Sequence, residues 1–182
     1  MKVSSFLQKT FGEHLPDDLP PLALDQGGRD QGTVASPYAR HGAQLTTILS
    51  SAGRDDLIRL MQALDWQIPL AGATAPGFAE NTMYVQFYGP ETHGDLPDFR
   101  VGLFYMAPDL FYPAHRHAAR EVYVRLAGAC DFTLGPDQDQ LETGPFLINE
   151  PEHIHAMRAG PQGALFAWLW TGDVDWGSYS YV

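Results

Sequence analysis

Four side chains that can bind a metal or move a proton stand close together between residues 115 and 123. They are two imidazoles, one carboxylate and one phenol: His115, His117, Glu121 and Tyr123. All four positions are odd-numbered, and the side chains of a β-strand point to alternate faces with a period of two. If the segment is one strand, the four groups share a face, an arrangement that packing alone does not explain. The sequence therefore predicts a divalent-metal site here.

The part of the chain that must position these groups changes character near residue 80. Before it, apolar side chains repeat with helical spacing, which predicts helices at residues 4–11, 37–51 and 53–66. After it, short apolar and aromatic runs separated by Gly and Pro predict strands at residues 82–88, 99–106, 120–127, 130–134, 145–149 and 164–171. Closely spaced strands of this kind form a sandwich or a barrel. We therefore expect a helical N-terminal segment, 1–80, packed as one cooperative unit on a β-barrel domain, 81–182.

Composition excludes several classes of function. The 182 residues are 45% hydrophobic, as in an ordinary globular protein, and carry 22 acidic against 11 basic side chains for a net charge of −11. Such a balance repels phosphate backbones, so we expect no nucleic-acid partner. No run of apolar residues is long enough to span a membrane, and the N-terminus lacks a secretory signal, so we expect a cytoplasmic protein. The single cysteine, Cys130, excludes an internal disulfide and is expected to be a small buried residue.

The spacing of the first metal-binding residues resembles a known family. The pattern His115-x-His117-x3-Glu121-x6-Gly128 is similar in residue types and spacing to the first metal motif of the cupin superfamily. The glycine expected six residues before the first histidine is absent, and Asp109 stands there. The resemblance implies a mainly β fold, the cupin double-stranded β-helix or jelly-roll barrel, here with an N-terminal helical segment.

A second, degenerate cupin motif follows the first. Gly144 opens it, and the resemblance implies that His155, at its end, is the fourth metal ligand. Glu150 and Glu152 replace the usual proline and glycine, and Ala159 replaces the usual asparagine. These departures weaken the motif without moving its histidine.

Three imidazoles and one carboxylate suit one divalent transition-metal ion. Fe(II), Mn(II), Zn(II), Ni(II) and Co(II) all accept such ligands, and residue type does not choose among them. His153 has the same parity as His155 and stays a minor candidate, either as a ligand or as a donor behind one. The other histidines lie outside any motif and are expected on the surface: His14, His41 and His93.

Residues around the metal motif resemble one group of cupins more closely. The residues that carry this resemblance are Tyr112-Pro113-Ala114-His115-x-His117, Glu121-x-Tyr123, His155-Ala156-Met157-Arg158 and an aromatic strand that contains Trp168 and ends in Trp170. This combination looks like the cupin-type dimethylsulfoniopropionate (DMSP) lyases, in detail over residues 80–172. The partner implied is a small zwitterionic carboxylate.

The chemistry that this resemblance implies is a β-elimination that gives dimethyl sulfide and acrylate. The metal would bind the substrate carboxylate, and Tyr123, as a tyrosinate, would take the α-proton. Tyr112 would assist as a donor or as a second base. Trp170 would hold the sulfonium by its π face, although the strand register that decides between Trp168 and Trp170 is not fixed by the sequence.

Other functions remain open at this stage. The same four ligands would serve an Fe(II) dioxygenase, and a sugar or carboxylate isomerase is a further alternative that the scarcity of lysine disfavours. A cupin that only binds a small molecule is the non-enzymatic alternative. A homodimer is the candidate oligomer, because an exposed sheet edge invites pairing.

Overall fold

The structure is a computed structural model, and it describes residues 3–16, 19–20, 22, 36–69, 77–90, 92, 96–135, 140–142 and 145–182. Two residues named above, His93 and Gly144, lie outside the described residues. Within the described residues, no helix is long and apolar enough to cross a membrane.

In the part of the chain that the structure describes, three α-helices precede the strands: α1 (Val3–Phe11), α2 (Pro37–Ser51) and α3 (Asp55–Gln62). Helix α2 begins where predicted because the Ser36 hydroxyl accepts a hydrogen bond from the Tyr38 amide and Pro37 occupies the first turn. Helix α3 is shorter than the predicted 53–66. It ends early because the indole of Trp66 folds back and donates to the Met61 carbonyl at 2.8 Å, which satisfies one of the last carbonyls of the helix.

Within the described residues, eight antiparallel strands follow the helices. They are β1 (Thr82–Tyr88), β2 (Phe99–Met106), β3 (Phe111–Arg116), β4 (Arg120–Leu134), β5 (Gln140–Glu142), β6 (Phe146–Asn149), β7 (His155–Thr171) and β8 (Ser180–Tyr181). The two long strands, β4 and β7, pair with each other along most of their length. On its other edge β7 pairs with β2 and β3, while β4 pairs with β5 and β6.

The long strand β4 differs from the sequence prediction in two ways. It joins the predicted strands 120–127 and 130–134, because Gly128, at φ 77°, forms a bulge within the strand rather than a turn. The four chemical groups also do not share one strand. His115 lies on β3, His117 in the connection after it, and Glu121 and Tyr123 on β4. A bend at residues 118–119 brings these segments together instead.

The central strands are buried on both faces. Every residue of β2 is buried, and successive side chains alternate between two apolar clusters. Val101 and Leu103 pack with the helices, whereas Phe104 belongs to the cluster around Tyr123 and Trp168. The helices therefore cover one face of the sheet, and the opposite face surrounds an aromatic interior.

These features confirm the predicted fold class: a mainly β antiparallel protein with N-terminal helices. Cys130 is buried, as predicted, and burial raises its pKa to about 12. The division at residue 80, the homodimer and the cytoplasmic location stay predictions.

Candidate metal centre and its cavity

A cavity of about 360 Å³ opens into the aromatic interior of the sheet, a volume typical of small-molecule sites. Three of its lining residues have side chains that can bind a metal or exchange a proton: His115, His117 and Glu121. The rest of the wall is almost entirely aromatic: Pro69, Tyr84, Phe104, Tyr112, Tyr123, Trp168, Trp170, Trp176 and Tyr179.

Three of the four predicted metal ligands form one tight group at this cavity. His117, Glu121 and His155 are buried, and their ligand atoms all lie within 4.8 Å of one another. Oε2 of Glu121 is 3.3 Å from Nε2 of His117 and 3.4 Å from Nε2 of His155. The structure thus brings together residues from β4, from β7 and from the connection before β4.

The histidines of the site are held in one tautomer by the backbone. Nδ1 of His115 lies 2.8 Å from the Pro113 carbonyl, and Nδ1 of His117 lies 3.0 Å from the Ala119 carbonyl. Nδ1 of His155 lies 2.9 Å from the carbonyl of residue 153. A carbonyl only accepts, so each Nδ1 carries the proton and each neutral ring has an unprotonated Nε2. His153 contributes this carbonyl, and its side chain is not in the ligand group.

The donor set fits a divalent transition metal. In the neutral form of both rings, Nε2 of His117 and Nε2 of His155 face a carboxylate oxygen, so lone pairs meet lone pairs until a proton or a metal ion brings positive charge between them. Nε2 of His155 is buried and has no hydrogen-bond partner in the described part of the chain. Imidazole nitrogens and a carboxylate converging on one point are the ligands that such metals take.

His115 lies beside this group rather than in it. Its ring centroid is 4.0 Å from that of His155, its partner across the β3–β7 pairing. The rings of Tyr112 and Tyr179 both stack on its imidazole, at 4.2 and 5.0 Å. Burial, and then the neighbouring His155, hold the pKa of His115 well below its usual value, so the ring stays neutral. Its role as a fourth ligand stays a prediction.

Both oxygens of Glu121 are held by neutral donors. Trp170 Nε1 donates to Oε1 at 2.6 Å, and Asn149 Nδ2 donates to Oε2 at 2.9 Å. Burial raises the pKa of Glu121, but the positive charge that His117 and His155 carry when their rings are protonated brings it well below its usual value. The carboxylate is therefore ionised and fixed in orientation.

The sequence alone did not predict a role for Asn149. It stands opposite Glu121 in the β4–β6 pairing, and Trp170 stands opposite Glu121 in the β4–β7 pairing. These cross-strand neighbours are set by register, which local patterns do not reveal.

The two predicted catalytic tyrosines both border the cavity. Burial, followed by the negative charge of Glu121, holds the pKa of Tyr123 well above its usual value. Burial likewise raises the pKa of Tyr112, whose hydroxyl lies 2.7 Å from that of Tyr179. Without an added positive charge, the protein therefore keeps both as phenols.

Three tryptophans line the cavity beside the metal-binding group: Trp168, Trp170 and Trp176. Both Trp168 and Trp170 line the cavity, so the choice between them does not arise. Trp170 lies 4.2 Å from the ring of His117 and 4.7 Å from that of Trp176. Trp176 and Tyr179 follow the last strand that the sequence predicted, and they were missed. The aromatic repeat at residues 176–181 is the signal that would have found them.

One of the three histidines expected on the surface is not there. His41 is buried, and its Nε2 lies 2.8 Å from the Glu80 carbonyl, because α2 packs against the segment that leads into β1. His14 is partly buried and stacks on Phe146 at 5.5 Å.

The sequence and the fold are both similar to those of known dimethylsulfoniopropionate lyases. The sequence model of the dimethylsulfoniopropionate lyase family matches residues 35–166. The dimethylsulfoniopropionate lyase DddQ of Ruegeria pomeroyi is 26% identical over 162 residues, which are 88% of this chain and 74% of that relative.

Two solved structures of DMSP lyases have the same fold. One, of DddQ from Ruegeria pomeroyi, is 24% identical with a TM-score of 0.64 and covers 92% of this chain and 84% of its own. The other, from a study of RdDddP and RnDddQII, is 23% identical with a TM-score of 0.66 and covers 92% and 85%.

Proposed function

The chain belongs to the dimethylsulfoniopropionate lyase family, and from this premise we propose that it cleaves DMSP to dimethyl sulfide and acrylate with one divalent transition metal. The observation that carries the proposal is the buried group of His117, Glu121 and His155, which shares its cavity with a phenol and a tryptophan wall. The metal-binding group suits an anion held by a cation, and the tryptophan rings beside it suit an onium group.

Metal binding falls to His117, Glu121 and His155, with His115 beside them. In the loaded protein, a divalent cation at this point supplies positive charge that holds the substrate carboxylate, stabilises negative charge on it and favours the ionised form of a nearby phenol. The protein's own part is orientation. Backbone carbonyls fix the imidazole tautomers, and Trp170 and Asn149 hold the carboxylate of Glu121.

Tyr123 is the proposed base. It follows Glu121 by two positions on β4 and points into the same cavity. As a phenolate it takes a proton from the carbon next to the substrate carboxylate. The electron pair of that C–H bond becomes the double bond of acrylate, and the C–S bond breaks so that sulfur leaves with its electrons as neutral dimethyl sulfide. The proton stays on Tyr123 until it is passed to solvent.

The aromatic wall is the proposed sulfonium subsite. The ring faces of Trp168 and Trp170 attract a cation. The indole N–H of Trp170 is already donated to Glu121, so only its ring is available to the substrate. Once sulfur becomes neutral, this electrostatic attraction ends, which favours release of dimethyl sulfide.

The experiment that tests the proposed base is Tyr123→Phe. Removing the hydroxyl leaves the ring between Phe132 and Phe166 and all the metal ligands in place. We expect unchanged metal content with loss of dimethyl sulfide release, measured by headspace gas chromatography. Unchanged turnover would contradict the assignment of Tyr123 as base.

Two controls sharpen this test. Tyr38→Phe removes a hydroxyl from a partly buried tyrosine of α2 whose ring stacks on that of Trp66. Tyr38 is not among the residues that line the cavity, so this variant should retain full turnover. The wild-type reaction should also proceed without oxygen, because β-elimination consumes none. A requirement for oxygen would instead indicate a dioxygenase.

A further inference from the structure

The C-terminal segment, residues 174–181, packs against residues 115–118, the part of the chain that carries His115 and His117. Strand β8 pairs with β3, so that Tyr181 stands opposite His115 and Ser180 opposite Arg116. The hydroxyl of Ser178 accepts a hydrogen bond at 3.2 Å from the amide of Ala118, directly after His117. The segment therefore takes its position from the backbone that carries the ligands.

A buried arginine fixes the other end of the segment. Arg100 on β2 is buried, and its Nε donates to the Val174 carbonyl at 2.7 Å. Its guanidinium lies 4.7 Å from the ring centroid of Trp176, which in turn packs on Trp170. Trp176 and Tyr179 are thereby held as walls of the cavity.

Tyr179 contacts Tyr112, one of the two predicted catalytic tyrosines. Its hydroxyl donates to the hydroxyl of Tyr112 at 2.7 Å, while its ring stacks on His115. A phenol has one proton to donate, so a Tyr112 oxygen that accepts from Tyr179 keeps its own proton for another acceptor. Accepting one hydrogen bond also makes a hydroxyl a stronger donor. Tyr112 makes no other hydrogen bond within the described residues.

We propose that residues 174–181 are part of the reaction site, and that Tyr179 is a positioning residue that holds the Tyr112 hydroxyl as a hydrogen-bond donor to the substrate carboxylate. This inference rests on the proposed function and decides between the two roles, donor and second base, that the sequence left to Tyr112. Removal of the α-proton moves negative charge onto the carboxylate oxygens. A donor aimed at them therefore acts more strongly in the transition state than in the bound substrate.

The test is a double-mutant cycle on dimethyl sulfide release. Tyr179→Phe keeps the ring on His115 and should lower kcat about threefold to tenfold, the value of one hydrogen bond, with KM changed less than about twofold. Tyr112→Phe should lower kcat at least as much. Because Tyr179 acts through Tyr112, the double variant should be no slower than Tyr112→Phe alone.

The control variant is again Tyr38→Phe, and metal content is measured in every variant. Unchanged kcat in Tyr179→Phe, or losses that multiply in the double variant, would overturn the inference. A loss of metal from Tyr179→Phe would also overturn it, since the residue would then support the metal site rather than Tyr112.

A second measurement does not depend on turnover, and so separates failure of this inference from failure of the proposed function. Proton NMR of the zinc-loaded protein should show a slowly exchanging hydroxyl signal that disappears in Tyr179→Phe and in Tyr112→Phe but persists in Tyr38→Phe. A signal that is absent from the wild type, or that survives either substitution, contradicts the hydroxyl pair. A wild type that shows the signal but releases no dimethyl sulfide contradicts the proposed reaction alone.

Discussion

Trp170→Phe isolates one hydrogen bond to the metal-binding carboxylate. The substitution keeps an aromatic ring on β7 and removes the indole N–H that donates to Oε1 of Glu121 at 2.6 Å. Asn149 still donates to Oε2, so the carboxylate keeps one of its two neutral donors. The expected result is an intact fold whose metal ligand is no longer held in a single orientation.

The magnitude follows from the burial of both partners. Trp170 and Glu121 are 3% and 2% exposed, so water does not replace the lost donor. A hydrogen bond to a charged group contributes about 1.5–3 kcal/mol. Because an affinity changes as the exponential of the free energy divided by RT, about 0.6 kcal/mol, this is a loss of about tenfold to a hundredfold in metal affinity, the range found when a group that orients a ligand is removed.

The assay is a titration of the metal-free protein against a chelator of known affinity, with zinc as the probe. Trp168→Phe is the matched control. It shrinks a neighbouring tryptophan of the same cavity wall, whose indole is not hydrogen-bonded to Glu121 in the described structure. Trp170→Phe should weaken zinc binding, and Trp168→Phe should leave it within about threefold of the wild type. Equal affinities in all three proteins would refute the role of Trp170 as the orienting donor.

Two further predictions concern stability. The pKa of His115 lies below its usual 6.5 in the folded protein, so the unfolded chain binds more protons at acid pH. As the pH is lowered past about 6.5, the free energy of unfolding of the metal-free protein, measured with urea, should therefore decrease by up to about 1.4 kcal/mol per pH unit. The lowered pKa of Glu121 adds a further decrease as the pH is lowered past about 4.5. A stability that does not change between pH 7.5 and 5 would contradict this. Gly128→Ala should destabilise the protein by at least about 2 kcal/mol, because φ is 77° and the added Cβ would collide with the Gly163 carbonyl. A smaller decrease in the free energy of unfolding, measured by heat or urea, would count against the bulge.

The parts of the fold that the sequence predicted are those with local signals. Helix α2 begins at a Ser36–Pro37 cap, and β1 and β2 are bounded by turn residues, so their limits agree with the predicted 37–51, 82–88 and 99–106. Strand β4 was divided in two because a glycine at a bulge and a glycine at a turn look alike in sequence.

The site was predictable where spacing along the chain decides it. His117 and Glu121 are close in sequence, and family resemblance supplied His155. The groups that orient them are not close in sequence: Asn149 and Trp170 reach Glu121 through strand register over 28 and 49 residues. The tail that carries Trp176 and Tyr179 is placed by its pairing with β3, which a pattern of apolar residues does not encode.

The measurement that tests the account most directly is the release of dimethyl sulfide from DMSP by metal-stripped and metal-restored protein. The purified chain is treated with a chelator and then restored separately with Fe(II), Zn(II), Mn(II), Co(II) or Ni(II), and the headspace gas is quantified in each case. We expect no release from the stripped protein and restored release, with an equal amount of acrylate, with at least one metal. Equal release from the stripped and restored protein, or no release with any of the metals, would contradict a metal-dependent DMSP lyase.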